Sequence, residues 1–215
     1  MQPIIINLFG LPGVGKSTLA HQLASEFDFH VISTGEILRA CFTENIPNPY
    51  SQRYSSILKP FETNYRNGEH LPDDLMTSIL VGELTFNLDK SSSFILPGSI
   101  KTIRQAKDFD TRVRELGLNI RMLNIHLICD DKTLVTRIEQ RHKLENRPDG
   151  LNGLNLLDGF RITNNELVDY YNSGEGLVTL NTESREPMEL AVDVSRIIEI
   201  KRVGEELPVD FINNK

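Results

Sequence analysis

Between Gly10 and Thr18 the chain reads Gly-Leu-Pro-Gly-Val-Gly-Lys-Ser-Thr, with the spacing G-x-x-x-x-G-K-S. The apolar run Pro3–Phe9 precedes it, and Leu19, Leu23 and Phe27 follow at the spacing of one helix face. Few folds accommodate a strand, a glycine-rich loop and a helix in that order. Glycines let the backbone wrap closely around a phosphate with its N–H groups turned inward. The helix that starts at Gly15 or Lys16 adds its positive N-terminal end. Lys16 can reach the outer phosphates of a nucleoside triphosphate, and the Ser17 hydroxyl can bind Mg²⁺. A glycine-rich turn without a ligand is the alternative, and the strand and helix on either side argue against it.

Further along, strand-like apolar runs alternate with helical periods. Phe29–Ile32, Phe94–Leu96, Leu123–Cys129 and Gly176–Asn181 read as strands. Helices are expected over Ile37–Ala40, from Asp73 to Leu88 and from Thr102 to Leu116. The last of these turns Ile103, Ala106, Phe109, Val113 and Leu116 inward and stops at Gly117. Another helix starts at Leu134, Val135 and Ile138 and runs into the polar stretch Arg141–Asn155. Phe160, Asn164, Leu167 and Tyr171 share a face of the next one, and Pro187 opens the closing helix. Residues 43–72 lose periodicity and carry Pro47, Pro49, Pro60, Gly68 and Pro72, as an inserted lobe of short helices would. Five strands alternating with helices predict an α/β fold with a parallel sheet covered on both faces. Ligands then bind at the carboxyl ends of the strands, where Gly10, Thr34, Gly98 and Asp130 fall.

Composition narrows the function. The 215 residues carry a net charge of −7, which argues against a general nucleic-acid or anionic-membrane binder. Cys41 and Cys129 are the two cysteines, too few for a disulfide framework or a zinc site, and they read as small buried hydrophobes. No apolar run approaches the ~18 residues of a membrane helix, and the N-terminus lacks the basic start of a signal peptide. The chain reads as soluble, cytoplasmic and monomeric.

Arginines supply the second chemical signal. Arg137 and Arg141 share a helix face, Arg147 lies in the polar stretch, Arg161 lies on the helix that follows it, and Arg39 on the first helix after the second strand. Guanidinium groups pair with phosphates bidentately, so five near the sheet-end loops could surround several phosphates. Each alone reads equally well as a solvated surface arginine. His126 reads as a packed or hydrogen-bonded core histidine, His70 and His142 as surface loop residues, and Tyr170 and Tyr171 as a half-buried helix face.

These stretches, taken in order, resemble the adenylate kinases and related nucleoside monophosphate kinases. The loop from Gly10 to Thr18 is similar to that family's G-x-P-G-x-G-K-[GS]-T. His30–Arg39 resembles H-I-S-T-G-D-L-L-R, and Gly68–Leu75 resembles G-x-L-V-P-D-E-L. Gly98 with Lys101–Ala106 follows D-G-F-P-R-T-x-x-Q-A in part. Arg137–Arg141 matches R-x-x-x-R, and Arg147-Pro148-Asp149 matches R-x-D. The resemblance covers roughly residues 3–200.

It implies a single P-loop NTPase-type, three-layer domain over residues 1–215, with an acceptor lobe at about 34–75 and a short lid at about 141–155. It implies transfer of the ATP γ-phosphoryl group to a nucleoside monophosphate, AMP in preference, with Mg²⁺. Gly10, Pro12, Gly13, Val14, Gly15, Lys16, Ser17, Thr18 and Arg137 would hold ATP, with Arg137 on the base. Thr34, Gly35, Arg39, Gly98, Lys101 and Gln105 would hold the acceptor, Gln105 reading an adenine edge. Lys16, Arg141, Arg147 and Arg161 would attend the transferring group, and Ser17 and Glu36 the metal.

The chain departs from the family in the D-G-F-P-R segment, where it has Pro97-Gly98-Ser99-Ile100-Lys101. Proline replaces an aspartate that orients metal-bound water, and lysine replaces a phosphate-clamping arginine. Glu36 stands for the aspartate after Gly35 and keeps one acidic group there. Gly150 stands for a second lid aspartate, and Arg161 is displaced by about three residues. These departures point to lowered turnover. They keep two rivals open: a nucleotide-binding regulatory protein on the same fold, and a P-loop kinase of another small acceptor.

Overall fold

The computed structural model describes residues 3–43, 48–91, 93–117, 120–145, 153–174 and 177–202. Its frame is one parallel sheet of β1 (Ile4–Phe9), β2 (His30–Val31), β3 (Ser93–Pro97), β4 (Arg121–Ile128) and β5 (Leu177–Asn181), in the order β2-β3-β1-β4-β5. β1 is central and buried throughout. It pairs Ile6 with Ile95 on one side and with Leu123 on the other. That agrees with its unbroken apolar run, as expected of a strand covered on both faces.

Alternation along β1 divides the core in two. Ile4, Ile6 and Leu8 face α1 (Lys16–Phe27), α7 (Asp131–Glu145) and α9 (Pro187–Arg202), meeting Leu19, Leu23, Leu134, Ile138, Leu190 and Val194. Ile5 and Phe9 face α5 (Asp73–Asn87), α6 (Ile103–Glu115) and α8 (Gly153–Asn172), meeting Leu80, Leu84, Phe109, Leu167 and Tyr171. Each such fully buried side chain is worth roughly 1.5–3 kcal/mol. The three layers with a five-stranded parallel sheet agree with the fold expected of the sequence.

The segment between β2 and α5 makes a third cluster of its own. It holds α2 (Thr34–Phe42), α3 (Pro49–Leu58), a 3₁₀ turn at Lys59–Phe61 and α4 (Glu62–Arg66). Ile37, Leu38, Tyr54 and Leu58 pack there with Met76 and Ile79 of α5. Asn48 starts α3 with a capping box: its Oδ1 accepts the Ser51 N–H at 2.8 Å, and Ser51 Oγ accepts the Asn48 N–H at 3.0 Å. Beneath it, Glu83 of α5 is 2% exposed. Its Oε1 accepts from Arg53 Nε at 2.8 Å and from the Tyr54 hydroxyl at 2.7 Å. Asn87 Nδ2 reaches its other oxygen at 3.4 Å.

Several sequence expectations need correcting. Phe27 and Leu116 are 40% and 37% exposed rather than inward; Phe27 is the last residue of α1 and Leu116 follows the last of α6, where the helix face runs out. Cys41 and Cys129 are half-buried, not buried, and Cys129 lies 3.8 Å from an Asp130 carboxylate oxygen. His142 is within α7, not a loop, since that helix continues through its polar residues to Glu145. Tyr171 is 5% exposed, deeper than a half-buried face. No described helix is long and apolar enough to cross a membrane.

Candidate active site

The loop is shaped by what lies behind it. Gly10 has φ 140°, and a Cβ there would fall 2.3 Å from the Leu127 carbonyl oxygen of β4. Gly13 has φ 81°, with room for a Cβ removed by Leu134 O at 2.9 Å and Ile138 Cγ1 at 3.1 Å, both on α7. Both positions need a residue without a side chain and at home at positive φ. The loop therefore rests directly on β4 and α7. Val14 is buried beneath it, and the exposed Ser17 and Thr18 open α1, where the first N–H groups have no partner within the helix. Pro12 sits in the turn between the first two glycines.

Lys16 folds back over the loop. Its Nζ donates to Gly10 O at 2.8 Å and to Leu11 O at 2.9 Å. Burial, then Arg141 and Lys101, lower its pKa to about 7. Those two cations come from α7 and from the turn after β3, so three segments bring positive charge to one place. Arg137, one turn earlier on α7, donates to Thr182 at the end of β5, to Oγ1 at 3.3 Å and to the carbonyl at 3.2 Å. It is thereby fixed at the rim of the sheet.

On the other side of the loop Thr34 opens α2 beneath the Ser33 cap. Its N–H donates to Ser99 Oγ at 3.2 Å, and the Ser99 hydroxyl donates to Ile32 O at 2.9 Å. Thr34 Oγ1 is buried with no protein partner, an arrangement that suits a ligand. Gln105 is 5% exposed; its Oε1 accepts the Lys101 N–H at 2.8 Å and its Nε2 donates to Asp73 at 2.8 Å. The Gln105 amide thus keeps one N–H and one lone pair beyond these two bonds. Gly35 and Arg39 lie side by side, the Arg39 Nη1 3.4 Å from where a Gly35 Cβ would stand.

Glu36 turns its Oε1 to His21 Nε2 at 3.5 Å and to Arg39 Nη2 at 4.0 Å. His21 is one turn along α1 from Ser17. No three His, Cys, Asp or Glu side chains gather around a metal position among the described residues. Position 97 is proline and supplies no carboxylate, while Ser17, exposed at the start of α1, could hold a cation directly. Such a set fits a cation that arrives on the nucleotide and keeps phosphate oxygens and water as its other ligands.

The far wall is α8. His126 of β4 stacks on Phe9 with centroids 5.0 Å apart and lies 3.2 Å from Asn164 Nδ2. Burial, helped by nearby Lys16, lowers its pKa to about 4, so it is a neutral packed histidine as expected. His70 meets Phe160 edge-on at 5.8 Å, linking the end of the inserted segment to α8. Arg161 donates to Asp131 at 2.6 Å and lies 3.6 Å from Asp158, so it sits paired at the rim. Arg147 and Gly150 lie outside the described residues.

Sequence reasoning overlooked the residues that hold these groups: Ser99 beneath Thr34, Thr182 beside Arg137, Asp73 against Gln105, His21 against Glu36 and Asp131 against Arg161. Ser99 carried a usable signal, since it stands inside the segment that departs from the family pattern. The others are ordinary polar residues until the fold brings them together.

The description of adenylate kinase matches residues 8–177, from the end of β1 to the start of β5. The chain is 32% identical over 168 residues to an adenylate kinase of Azobacteroides pseudotrichonymphae, covering 77% of this chain and 82% of that protein. The chain belongs to the adenylate kinase family. A second member, adenylate kinase 2 of Synechocystis, is 28% identical over 179 residues, 81% of this chain and 89% of its own. An adenylate kinase of Malacoplasma penetrans is 28% identical over 219 residues, 86% and 92% of the two chains. Pro97 and Lys101 thus stand in a nucleoside monophosphate kinase fold at the end of the strand beside the phosphate loop.

Proposed function

We propose that this adenylate kinase family member transfers the γ-phosphoryl group of ATP to AMP, slowly for its family. The observation that carries the reading is the glycine loop pressed on β4 and α7 with Lys16 folded over it, where burial, then the charges of Arg141 and Lys101 from two other segments, lower the Lys16 pKa to about 7. Like charges brought together at a glycine-rich loop suit several phosphates at once. Gly10, Pro12, Gly13, Val14, Gly15, Ser17 and Thr18 cradle the donor phosphates, and Arg137 flanks the donor base. The segment 34–75 acts as an acceptor lobe, in which Thr34, Gly35, Arg39, Gly98, Lys101 and Gln105 hold AMP. Residues 141–155 act as a lid whose arginines, Arg141 and Arg147, close on the phosphates and exclude water. Arg161 follows once released from Asp131. Ser17 and the nucleotide would hold Mg²⁺, which would offset phosphate charge, and Glu36 would act on it through water.

In this reading the protein forms no covalent intermediate. Lys16 and the arginines offset charge that develops on the transferring group, and the closed lid keeps the reacting oxygens in line. A coupled assay over AMP, UMP and CMP tests it. AMP is expected to be the best acceptor, and Gln105→Ala should raise the KM for AMP while leaving ATP binding in place. Faster turnover of UMP would overturn the adenine assignment.

Pro97 favours a second reading, a nucleotide-binding protein that retains little turnover. ATP-dependent stabilisation without phosphoryl transfer to any monophosphate would select it.

A further inference from the structure

We propose that Gly98 is a positioning residue for Lys16: its missing side chain makes the space in which the Lys16 stem lies. The inference rests on the phosphate-loop reading above, but it moves Gly98 from the acceptor's side to the donor's. β3 ends at Pro97, and the Gly98 N–H donates to Leu8 O at 2.8 Å, which ties the turn to β1. Gly98 has φ 61°, and a Cβ built on it would fall 2.8 Å from Lys16 Cε and 3.5 Å from Cδ. On its other side Lys16 is held by the Gly10 and Leu11 carbonyls at 2.8 and 2.9 Å. The lysine stem is thus clamped between loop carbonyls and a bare Cα.

What a Cβ would strike decides the consequence. At Gly10 it would strike backbone, which cannot move without opening the loop. At Gly98 it would strike the far end of a flexible side chain, which can swing away. A side chain at 98 therefore leaves the fold standing and displaces the ammonium.

The test is a cycle of Gly98→Ala, Lys16→Ala and the double variant. Gly98→Asn accompanies it, because asparagine tolerates positive φ and separates backbone strain from the contact. ATP affinity is read by calorimetry, the KM for AMP by the coupled assay, and Lys16 itself by its ¹³Cε NMR signal in the protein without nucleotide. Both single changes at 98 should weaken ATP about 10- to 100-fold, part of the loss that removal of one preorganised donor brings. In the Lys16→Ala background neither should weaken it further. The Lys16 ¹³Cε signal should shift in both. An unchanged Lys16 signal overturns the proposal, as does equal weakening with and without Lys16. A raised KM for AMP at unchanged ATP affinity returns Gly98 to the acceptor. If Lys16→Ala leaves ATP binding intact, the phosphate-loop reading fails, and the NMR signal still decides the Lys16 contact.

Discussion

At the root of the inserted segment, buried Glu83 is met by a guanidinium, a phenol and an amide. At the phosphate loop, Lys16 is met by two carbonyl oxygens and by the repulsion of Arg141 and Lys101. The first cluster balances its charge within the protein, and Arg53 is further layered on Phe86 at 4.5 Å. The second gathers like charges, which, after burial, lower the proton affinity of Lys16. The opposite charges join α3 to α5. Like charges gathered at a loop cost stability and become useful when an anion arrives. One chain thus separates the place where it holds itself together from the place where it holds a ligand.

The largest effect expected from breaking this contrast is at Arg53. Arg53→Ala leaves a buried carboxylate uncompensated and should cost about 3–5 kcal/mol in a denaturant titration, while ATP still raises the melting temperature of the variant. Loss of the ATP response instead would mean that the two clusters are coupled. Lys16→Ala should do the reverse. The apoprotein should melt no lower than wild type, and kcat/KM should fall on the order of 10²–10³-fold, about 2.7–4 kcal/mol. A clear drop in apoprotein stability would show Lys16 to be part of the fold's own support.

Pro97→Asp sharpens the comparison by adding a carboxylate to the cationic side. With the fold checked by circular dichroism, kcat should rise about thirtyfold, on the order of 2 kcal/mol, with little change in ATP affinity. A well-folded variant no faster than wild type would count against any rate-limiting role for Pro97.

The effect of pH is read per unit and is small at each step. Burial, then the Arg141 and Lys101 charges, lower the Lys16 pKa to about 7 in the folded protein, below the ordinary lysine value of 10.5. Between these values the unfolded chain binds the extra proton, so stability should rise with pH across that window, by at most ~1.4 kcal/mol per pH unit from this group. Lys16→Ala should flatten that rise. ATP binding at pH 8 should take up a proton, seen as a dependence of the calorimetric heat on buffer ionisation enthalpy. Identical heats in all buffers would contradict the depressed value.

Periodicity and motif spacing carried the sheet, because β1, β3 and β4 are apolar runs with turn residues at both ends. The loop was legible for the same reason that it functions: glycine and lysine at fixed spacing have few other uses. Helix ends were less legible, as Phe27 and Leu116 show, since an apolar period cannot say where the sheet stops covering it. The partners of site residues were not legible at all. Gln105 looked available in the sequence, but Asp73 lies 32 positions before it, and only the packing of α5 on α6 brings the two within 2.8 Å. The Glu83 cluster was hidden likewise, since a lone glutamate in an apolar helix gives no sign of which arginine it meets.

The contacts of Gly10 with Leu127 and of Gly13 with Leu134 bear on the order of folding. The loop and its supports are separated by more than a hundred residues, so closing that contact carries a large chain-entropy cost. β1 also waits for partners that begin at Ser93 and Arg121. Whatever forms first in this chain forms without a finished phosphate loop. A nucleotide in the refolding buffer should then leave the folding rate alone and slow unfolding only, because a site completed after the folding transition state cannot speed passage over it.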